Sequence, residues 1–250
     1  MKMKSAGNKD ELIDDPRRVF LLRALAAGLF AGGTGWNLPA MASWFGGVPS
    51  KLPEGRSIFE MKGEVMVNGA PATHDTLIKA TDTIRTGSGS YVITAVGDSA
   101  FIVREKSVLE LGGKALLVSA LRLLSGKMLG VFGHRNTNEG YSINTQVATI
   151  GIRGTGVYAE SDPEKTYLCT CYGSTDIASN ADPKDRVQLT TMHHDAPKYI
   201  LAEPDSGKRI IPAPFKNHTD LELMTIEAIV GRKVPFGVSG QEYERPRREY

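Results

Sequence analysis

The chain between residues 60 and 180 alternates short apolar runs with turn residues. The runs at 91–96 and 100–103 are typical in length, and a Gly-Asp-Ser turn separates them. Asn68-Gly69 is a dipeptide that tolerates positive φ and therefore favours a tight reversal. Short strands at regular spacing are typical of all-β proteins. The pattern predicts an all-β body of stacked short hairpins, arranged either as a solenoid or as a sandwich.

The pattern changes near the C-terminus, where Thr219 and Glu222 form a capping box ahead of an apolar helical face. Gly231 follows the last apolar residue and ends this helix. The final residues mix Glu and Arg without apolar periodicity. We therefore predict a C-terminal extension at 181–235 that contains an α-helix at 219–230, and a solvated tail at 236–250.

The first forty residues carry the three parts of an export signal. Arg17 and Arg18 are followed by x-Phe-Leu, then by a short and weakly apolar segment, and Ala40 and Ala42 supply a small-x-small end. This arrangement resembles a twin-arginine signal, a route that exports folded proteins. The resemblance implies a signal peptide at 1–42 and a periplasmic mature protein of Gram-negative type.

The alternative for the same segment is an uncleaved anchor in the inner membrane. Arg23 and a run of glycines disfavour a stable span, so we expect cleavage, with transient membrane association through the N-terminus during export. Residues 43–59 are rich in Gly and Pro, which predicts a linker at the mature N-terminus.

The charge balance excludes a nucleic-acid binder. The 250 residues include 30 Lys+Arg and 28 Asp+Glu, but six of the cations and four of the anions lie in residues 1–42. The remainder is neutral, with 24 of each, and lacks the excess of cations that binds a phosphate backbone. Two cysteines are also too few for a disulfide scaffold.

Several motifs in the β-rich segment occur in an order that resembles the FecR protein domain. The most specific is the Arg153-Gly154-Thr155 strand. The others, in chain order, are Gly63-x-Val65-x-Val67-Asn68-Gly69, Asp82-Thr83-Ile84-x-Thr86-Gly87, Ser107-x-Leu109-x-Leu111 and Leu123-x-x-Gly126-x-Met128. The resemblance covers about residues 60–180.

This resemblance implies an extracytoplasmic, non-enzymatic module that senses a signal or contacts a periplasmic or envelope protein, with a link to iron-uptake signalling. Only about fifteen residues precede the twin arginines, too few for an anti-sigma domain, so we do not expect control of a sigma factor. Gly154 between Arg153 and Thr155 suggests a close backbone approach or a bulge inside a strand. A buried or half-buried Arg153 would need a carboxylate or carbonyl partners, so we favour a structural role for these residues over a ligand-binding one.

Cysteines and histidines outside the FecR motifs suggest a metal site. Cys169 and Cys171 lie two apart in a predicted strand, so both side chains point to one face. His193, His194 and His218 follow. Thiolates and imidazoles together form Cys2His2-type sites for zinc or another soft transition metal. A metal- or cofactor-binding periplasmic protein is therefore the alternative function.

Other interpretations of these residues stay open. The cysteines could be packed thiols or partners of an intermolecular disulfide, and the histidines could make only local hydrogen bonds. A disulfide between Cys169 and Cys171 is disfavoured because parallel Cβ vectors in a strand do not converge. The sequence has no nucleophile elbow and no P-loop, so an unrecognised hydrolase is the least favoured alternative.

Overall fold

The computed structural model describes residues 50–133 and 140–236. The predicted signal peptide, with Arg17, Arg18, Ala40 and Ala42, lies outside the described residues, as does most of the predicted tail. The described part contains fourteen strands and one helix. These are β1 Ile58–Lys62, β2 Val65–Val67, β3 Ala70–Pro71, β4 Thr83–Thr86, β5 Tyr91–Val96, β6 Ser99–Val103, β7 Val108–Lys114, β8 Leu117–Val131, β9 Tyr141–Asn144, β10 Ala148–Ser161, β11 Lys165–Ser179, β12 Arg186–Thr191, β13 Lys198–Asp205, β14 Lys208–Pro212 and α1 Asp220–Ile229.

All fourteen strands join one branched sheet. Its main path runs β14-β13-β11-β10-β9-β8-β7-β4-β2-β3, and the branch β1-β5-β6 joins it at β8, while β12 joins it at β11. The pairings are antiparallel except for β8 with β9. The predicted all-β body with a C-terminal helix is therefore confirmed, and its strands form an open sheet.

Three long strands hold this branched sheet together. β8, β10 and β11 each contain 14 or 15 residues. Each strand pairs with one strand before a glycine of positive φ and with a different strand after it. These glycines are Gly126 in β8, Gly154 in β10 and Gly173 in β11. In β8, for example, Ser125 still pairs with β7, whereas Met128 pairs with β6. Glycine allows these bends because it has no Cβ to clash in the left-handed region.

The Arg-Gly-Thr segment of β10 differs from expectation at Arg153. Gly154 has φ +55°, and the register shifts between Arg153 and Gly156, as a bulge requires. Thr155 is buried and donates to the carbonyl of Ser174 over 3.1 Å. Arg153, however, is exposed and makes no ion pair with any described residue. Ile150 and Ile152 are buried, so the regular alternation before the bulge places Arg153 on the exposed side of the strand. Arg153 is therefore not the buried, paired group that would specify the fold.

The helix forms where the capping box predicts it. The Thr219 hydroxyl accepts from the amide of Glu222, whose carboxylate accepts from the amide of Thr219. The helix packs on β5, β6 and β8 and buries four apolar side chains, which are Leu221, Leu223, Ile226 and Ile229. A buried ion pair between Arg104 and Glu222, 2.7 Å long, also ties the helix start to the sheet. This docking fixes the segment just before the helix against β11.

Within the described ranges, no helix is long and apolar enough to cross a membrane.

We predict that Gly126→Ala destabilises the protein more than Gly89→Ala. Both glycines have positive φ, but a Cβ on Gly126 would lie 2.5 Å from the Cα of Ser107, whereas one on Gly89 would meet nothing within 4 Å. We expect a loss of ~2 kcal/mol or more for Gly126→Ala and ~1 kcal/mol for Gly89→Ala in urea unfolding. Equal losses would show that the close approach in β8 contributes nothing.

Candidate metal centre

The site begins with two cysteines on one face of β11. Residues Thr166–Tyr172 of this strand are all buried, which means that both faces of the strand are covered. Leu168 points to the hydrophobic core, and the alternation of the strand places Tyr167, Cys169 and Cys171 on the opposite face. Both cysteines are free thiols with no exposed surface. The face they share is covered by the loops that carry the histidines.

His194 reaches the cysteines from the loop after β12. Its backbone has φ +52° and its amide donates to the carbonyl of Cys171, so the loop turns back onto β11. The Nδ1 of His194 lies 3.5 Å from the Sγ of Cys169. The opposite ring nitrogen, Nε2, lies 3.0 Å from Oδ1 of Asp220 at the first turn of α1.

His218 completes the cluster from the segment just before α1. Its Nε2 lies 3.4 Å from the Sγ of Cys171 and 3.1 Å from the Nδ1 of His194. Its other nitrogen, Nδ1, lies 2.8 Å from the carbonyl oxygen of Lys216. The ring stacks on Tyr158, with centroids 4.6 Å apart and an angle of 16° between planes. His218 is therefore held on both its face and its outer edge.

Three separations between these four side chains are close to the edges of a tetrahedral metal site. One ligand atom from each of Cys169, Cys171, His194 and His218 lies within 4.8 Å of all the others. Bonds of about 2.3 Å to sulfur and 2.0–2.1 Å to nitrogen give tetrahedral edges of about 3.6 Å for S···N and about 3.3 Å for N···N. The observed S···N separations are 3.5 and 3.4 Å and the N···N separation is 3.1 Å. These three edges of the four-atom set are each within a few tenths of an ångström of the tetrahedral values, and the other three are no longer than 4.8 Å.

His193, the fifth predicted ligand, lies outside this cluster. Its Nε2 lies 2.7 Å from the same Asp220 oxygen that His194 contacts, and its ring packs on Phe236 with centroids 4.3 Å apart. The structure thus brings four of the five predicted side chains around one point and places His193 behind Asp220.

The pKa values of the clustered side chains depend on one another because the groups are in contact. Burial disfavours an ionised thiol, but the hydrogen bond from Cys171 and the nearby His218 lower the pKa of Cys169 well below its usual range. Burial and the adjacent Cys169 thiolate raise the pKa of Cys171. Burial also opposes protonation of His194, yet its hydrogen bonds to Asp220 and Cys169 raise its pKa to about 9. In the metal-free cluster these contacts favour a thiolate at Cys169 beside a protonated His194.

Asp220 is the fixed negative charge of the site. Burial would raise its pKa, but hydrogen bonds from His193 and His194 hold the pKa of this carboxyl well below its usual range. The side chain is 7% exposed, so its charge is poorly screened by solvent. The sequence identifies Asp220 only as part of a helix start, and nothing in the spacing of residues connects it with His193 and His194.

A polar network positions the Lys216 carbonyl, which accepts a hydrogen bond from His218. Lys216 is held by its ammonium group, which lies 2.7 Å from a carboxylate oxygen of Glu160 and 4.5 Å from the ring centroid of Tyr167. The side-chain amide of Asn217 donates to the same carboxylate over 2.6 Å, and Arg104 donates to the carbonyl of Asn217 over 2.9 Å. The segment before α1 is therefore fixed on the sheet on both sides of the Lys216 carbonyl.

Comparison with known proteins gives only distant likenesses. No protein-family model matches the chain, and no curated protein does either. Among solved structures it is similar to two candidate anti-sigma factors from Parabacteroides distasonis. The first has 10% sequence identity and a TM-score of 0.43, with 52% of this chain and 58% of that chain covered. The second has 9% identity and a TM-score of 0.42, with 59% and 74% covered.

This chain therefore spans less than two thirds of the first of these structures. Likenesses at this level carry no argument about function, and the resemblance to the FecR domain stays a prediction.

We predict that Glu160→Gln destabilises the metal-free protein in a pH-dependent way. Burial disfavours the charge of Glu160, but hydrogen bonds from Lys216, Asn217 and Tyr158 lower its pKa below the ordinary value. A carboxyl whose pKa is lowered by folding stabilises the fold above its unfolded pKa, and the gain is lost as pH falls through the folded pKa. We expect a loss of ~1–2 kcal/mol near pH 6 that shrinks below about pH 4, measured by urea unfolding with a chelator present.

An unchanged difference between variant and parent at both pH values would contradict this role for the Glu160 carboxylate.

Proposed function

We propose that this protein is an exported, non-enzymatic β-sheet protein that binds one zinc ion through Cys169, Cys171, His194 and His218. The ion joins strand β11 to the loop after β12 and to the segment before α1. Two thiolates and two imidazoles in a tetrahedral arrangement are typical ligands of a structural zinc site.

The observation that carries the proposal is the contact between the two imidazoles. Their facing nitrogens are 3.1 Å apart, while the opposite nitrogens lie against Asp220 and the carbonyl of Lys216. Acceptors at the outer nitrogens place the N–H groups outward, so two lone pairs face each other. Two lone pairs at this separation repel each other unless a cation lies between them.

In the metal-free protein that cation is the proton of His194, whose pKa is raised to about 9. A proton can join two nitrogens and balance the Cys169 thiolate, but it bonds to neither sulfur. A zinc ion is bonded by all four atoms, and its binding displaces the protons of His194 and Cys171.

The burial of the ligands supports a structural role for the ion. Cys169 and Cys171 have no exposed surface, and His218 is 3% exposed. Catalytic zinc sites keep a coordination position open to water or substrate, whereas four protein ligands close a site. A closed site is compatible with the non-enzymatic function implied by the FecR resemblance.

The twin-arginine-like signal supports the cellular setting of this proposal. Transport of a folded chain allows the ion to be bound before export, so the site does not need to be loaded in the periplasm. In this proposal the zinc ion holds the C-terminal extension on a FecR-like body, and that body contacts a periplasmic or envelope protein. The link to iron-uptake signalling rests on the resemblance alone.

We predict that the full chain, purified without a histidine tag, contains about one equivalent of zinc. Cys171→Ser and His218→Ala should each lower the content below about a tenth of an equivalent, because three ligands hold zinc far more weakly than four. His74→Ala is the matched control, since His74 is exposed and outside the cluster. Element analysis by mass spectrometry is the measurement, and a parent protein without metal would refute the proposal.

We also predict that chelation destabilises the parent but not Cys171→Ser. A ligand that binds only the folded state adds about 2.7 kcal/mol at a free concentration of one hundred times its Kd. Thermal unfolding with excess chelator should therefore give a lower midpoint than unfolding with micromolar zinc. Hydrogen exchange should show the largest loss of protection in the segment around His218 and α1. A chelator effect of equal size in Cys171→Ser would point to zinc bound elsewhere.

A further inference from the structure

A second group of titratable side chains lies directly behind His194. Oδ1 of Asp220 is 2.7 Å from the Nε2 of His193 and 3.0 Å from the Nε2 of His194. The three side chains are between 7% and 11% exposed. One carboxylate oxygen thus lies within hydrogen-bond distance of two buried imidazoles, and only one of these imidazoles belongs to the proposed zinc site.

The distances distinguish a hydrogen-bonded group from a second zinc site. A carboxylate oxygen and an imidazole nitrogen on one zinc ion would be about 3.3 Å apart, given bonds of about 2.0–2.1 Å. A separation of 2.7 Å is instead that of a charge-assisted hydrogen bond. Asp220 is therefore an acceptor for the N–H groups of His193 and His194 and not a ligand of a second ion.

The hydrogen bond to Asp220 determines which nitrogen of His194 faces the thiols. With its Nε2–H donated to the carboxylate, His194 directs the lone pair of Nδ1 toward Cys169 and His218. His218 is oriented in the opposite sense, because its Nδ1–H is donated to the Lys216 carbonyl and its Nε2 faces inward. The two imidazoles therefore present different nitrogens to the same point.

His193 acts on Asp220 from the other side. Its Nδ1 is buried and has no hydrogen-bond partner in the described part of the chain, so the ring donates through Nε2 to Asp220. The ring is also held by packing against Phe236. Because Asp220 accepts one hydrogen bond from His193 and one from His194, its oxygen stays in position at His194.

We propose that Asp220 and His193 are positioning residues of the zinc centre, with Asp220 fixing the tautomer of His194 and His193 holding the Asp220 carboxylate against it. The inference rests on the proposed function, because it requires zinc bound through the four ligands. Groups that receive the outer N–H of a ligand histidine contribute about 10–100-fold to metal affinity.

The competing explanation is that Asp220 only stabilises the start of α1. It occupies the first helical position, where a carboxylate interacts favourably with the helix dipole. Thr219→Ala is the matched control for this effect, because it removes the N-cap hydroxyl without removing the acceptor of His194. A helix-only role would make Asp220→Ala and Thr219→Ala equivalent for zinc.

The test measures zinc affinity of the full chain by competition with a chromophoric chelator at neutral pH. We expect Asp220→Ala to weaken binding about 10–100-fold, Asp220→Asn to weaken it less because an acceptor oxygen remains, and Thr219→Ala to change it less than about twofold. His193→Ala should weaken binding, and His193→Gln, whose amide can still donate to Asp220, should recover part of the loss.

Nitrogen NMR of the zinc-loaded parent tests the same inference without a variant. We expect His194 to be protonated at Nε2 and bonded to zinc through Nδ1, and His218 to be protonated at Nδ1 and bonded through Nε2. The opposite assignment for His194 would overturn the proposal. So would a zinc affinity of Asp220→Ala equal to that of the parent or of Thr219→Ala. A parent that binds no zinc would overturn the proposed function and, with it, this inference.

Discussion

Two buried imidazoles that face each other, and that both donate their outer N–H groups elsewhere, need a cation between the facing nitrogens, and this point connects three segments of the C-terminal half. The histidines come from two separate segments, and each has its outer N–H held by an acceptor, so neither ring can turn to relieve the contact. Two thiols complete the enclosure from β11. An ion or a proton at this point therefore links the sheet, the loop after β12 and the start of α1.

The cysteine and histidine cluster could be anticipated from the sequence because it consists of rare residue types, while its role as a zinc site stays a proposal. Cysteines two apart in a strand must share a face, and the few histidines that follow are natural partners for thiolates. Asp220 and the Lys216 carbonyl could not be predicted in the same way. Aspartate at a helix start is common, and a backbone carbonyl has no sequence signal, so their roles depend on how the chain folds around His194 and His218.

The fold class and the position of the helix can be predicted from the sequence, whereas the pairing of the strands cannot. Apolar alternation and turn residues indicated strands, and a capping box located the helix that begins at Asp220. Arg153 shows the limit of such reasoning, because the motif marks the bulge at Gly154 but not that Arg153 follows the buried Ile150 and Ile152 on the exposed side of the strand. The branching of the sheet could not be predicted either, because the sequence does not show which strands pair with β8, β10 and β11 on each side of their glycines.

The ends of the main sheet path give the molecule a further property. A strand at the edge of a sheet offers unpaired amides and carbonyls on which another chain can assemble. Here one end is β3, only two residues long and closed by Pro71, and the other is β14, which carries Lys208 and Arg209 and ends at Pro212. Proline lacks an amide hydrogen, and repelling cations oppose the approach of an identical edge. The two ends of the main path are therefore poor templates for edge-to-edge pairing with another chain.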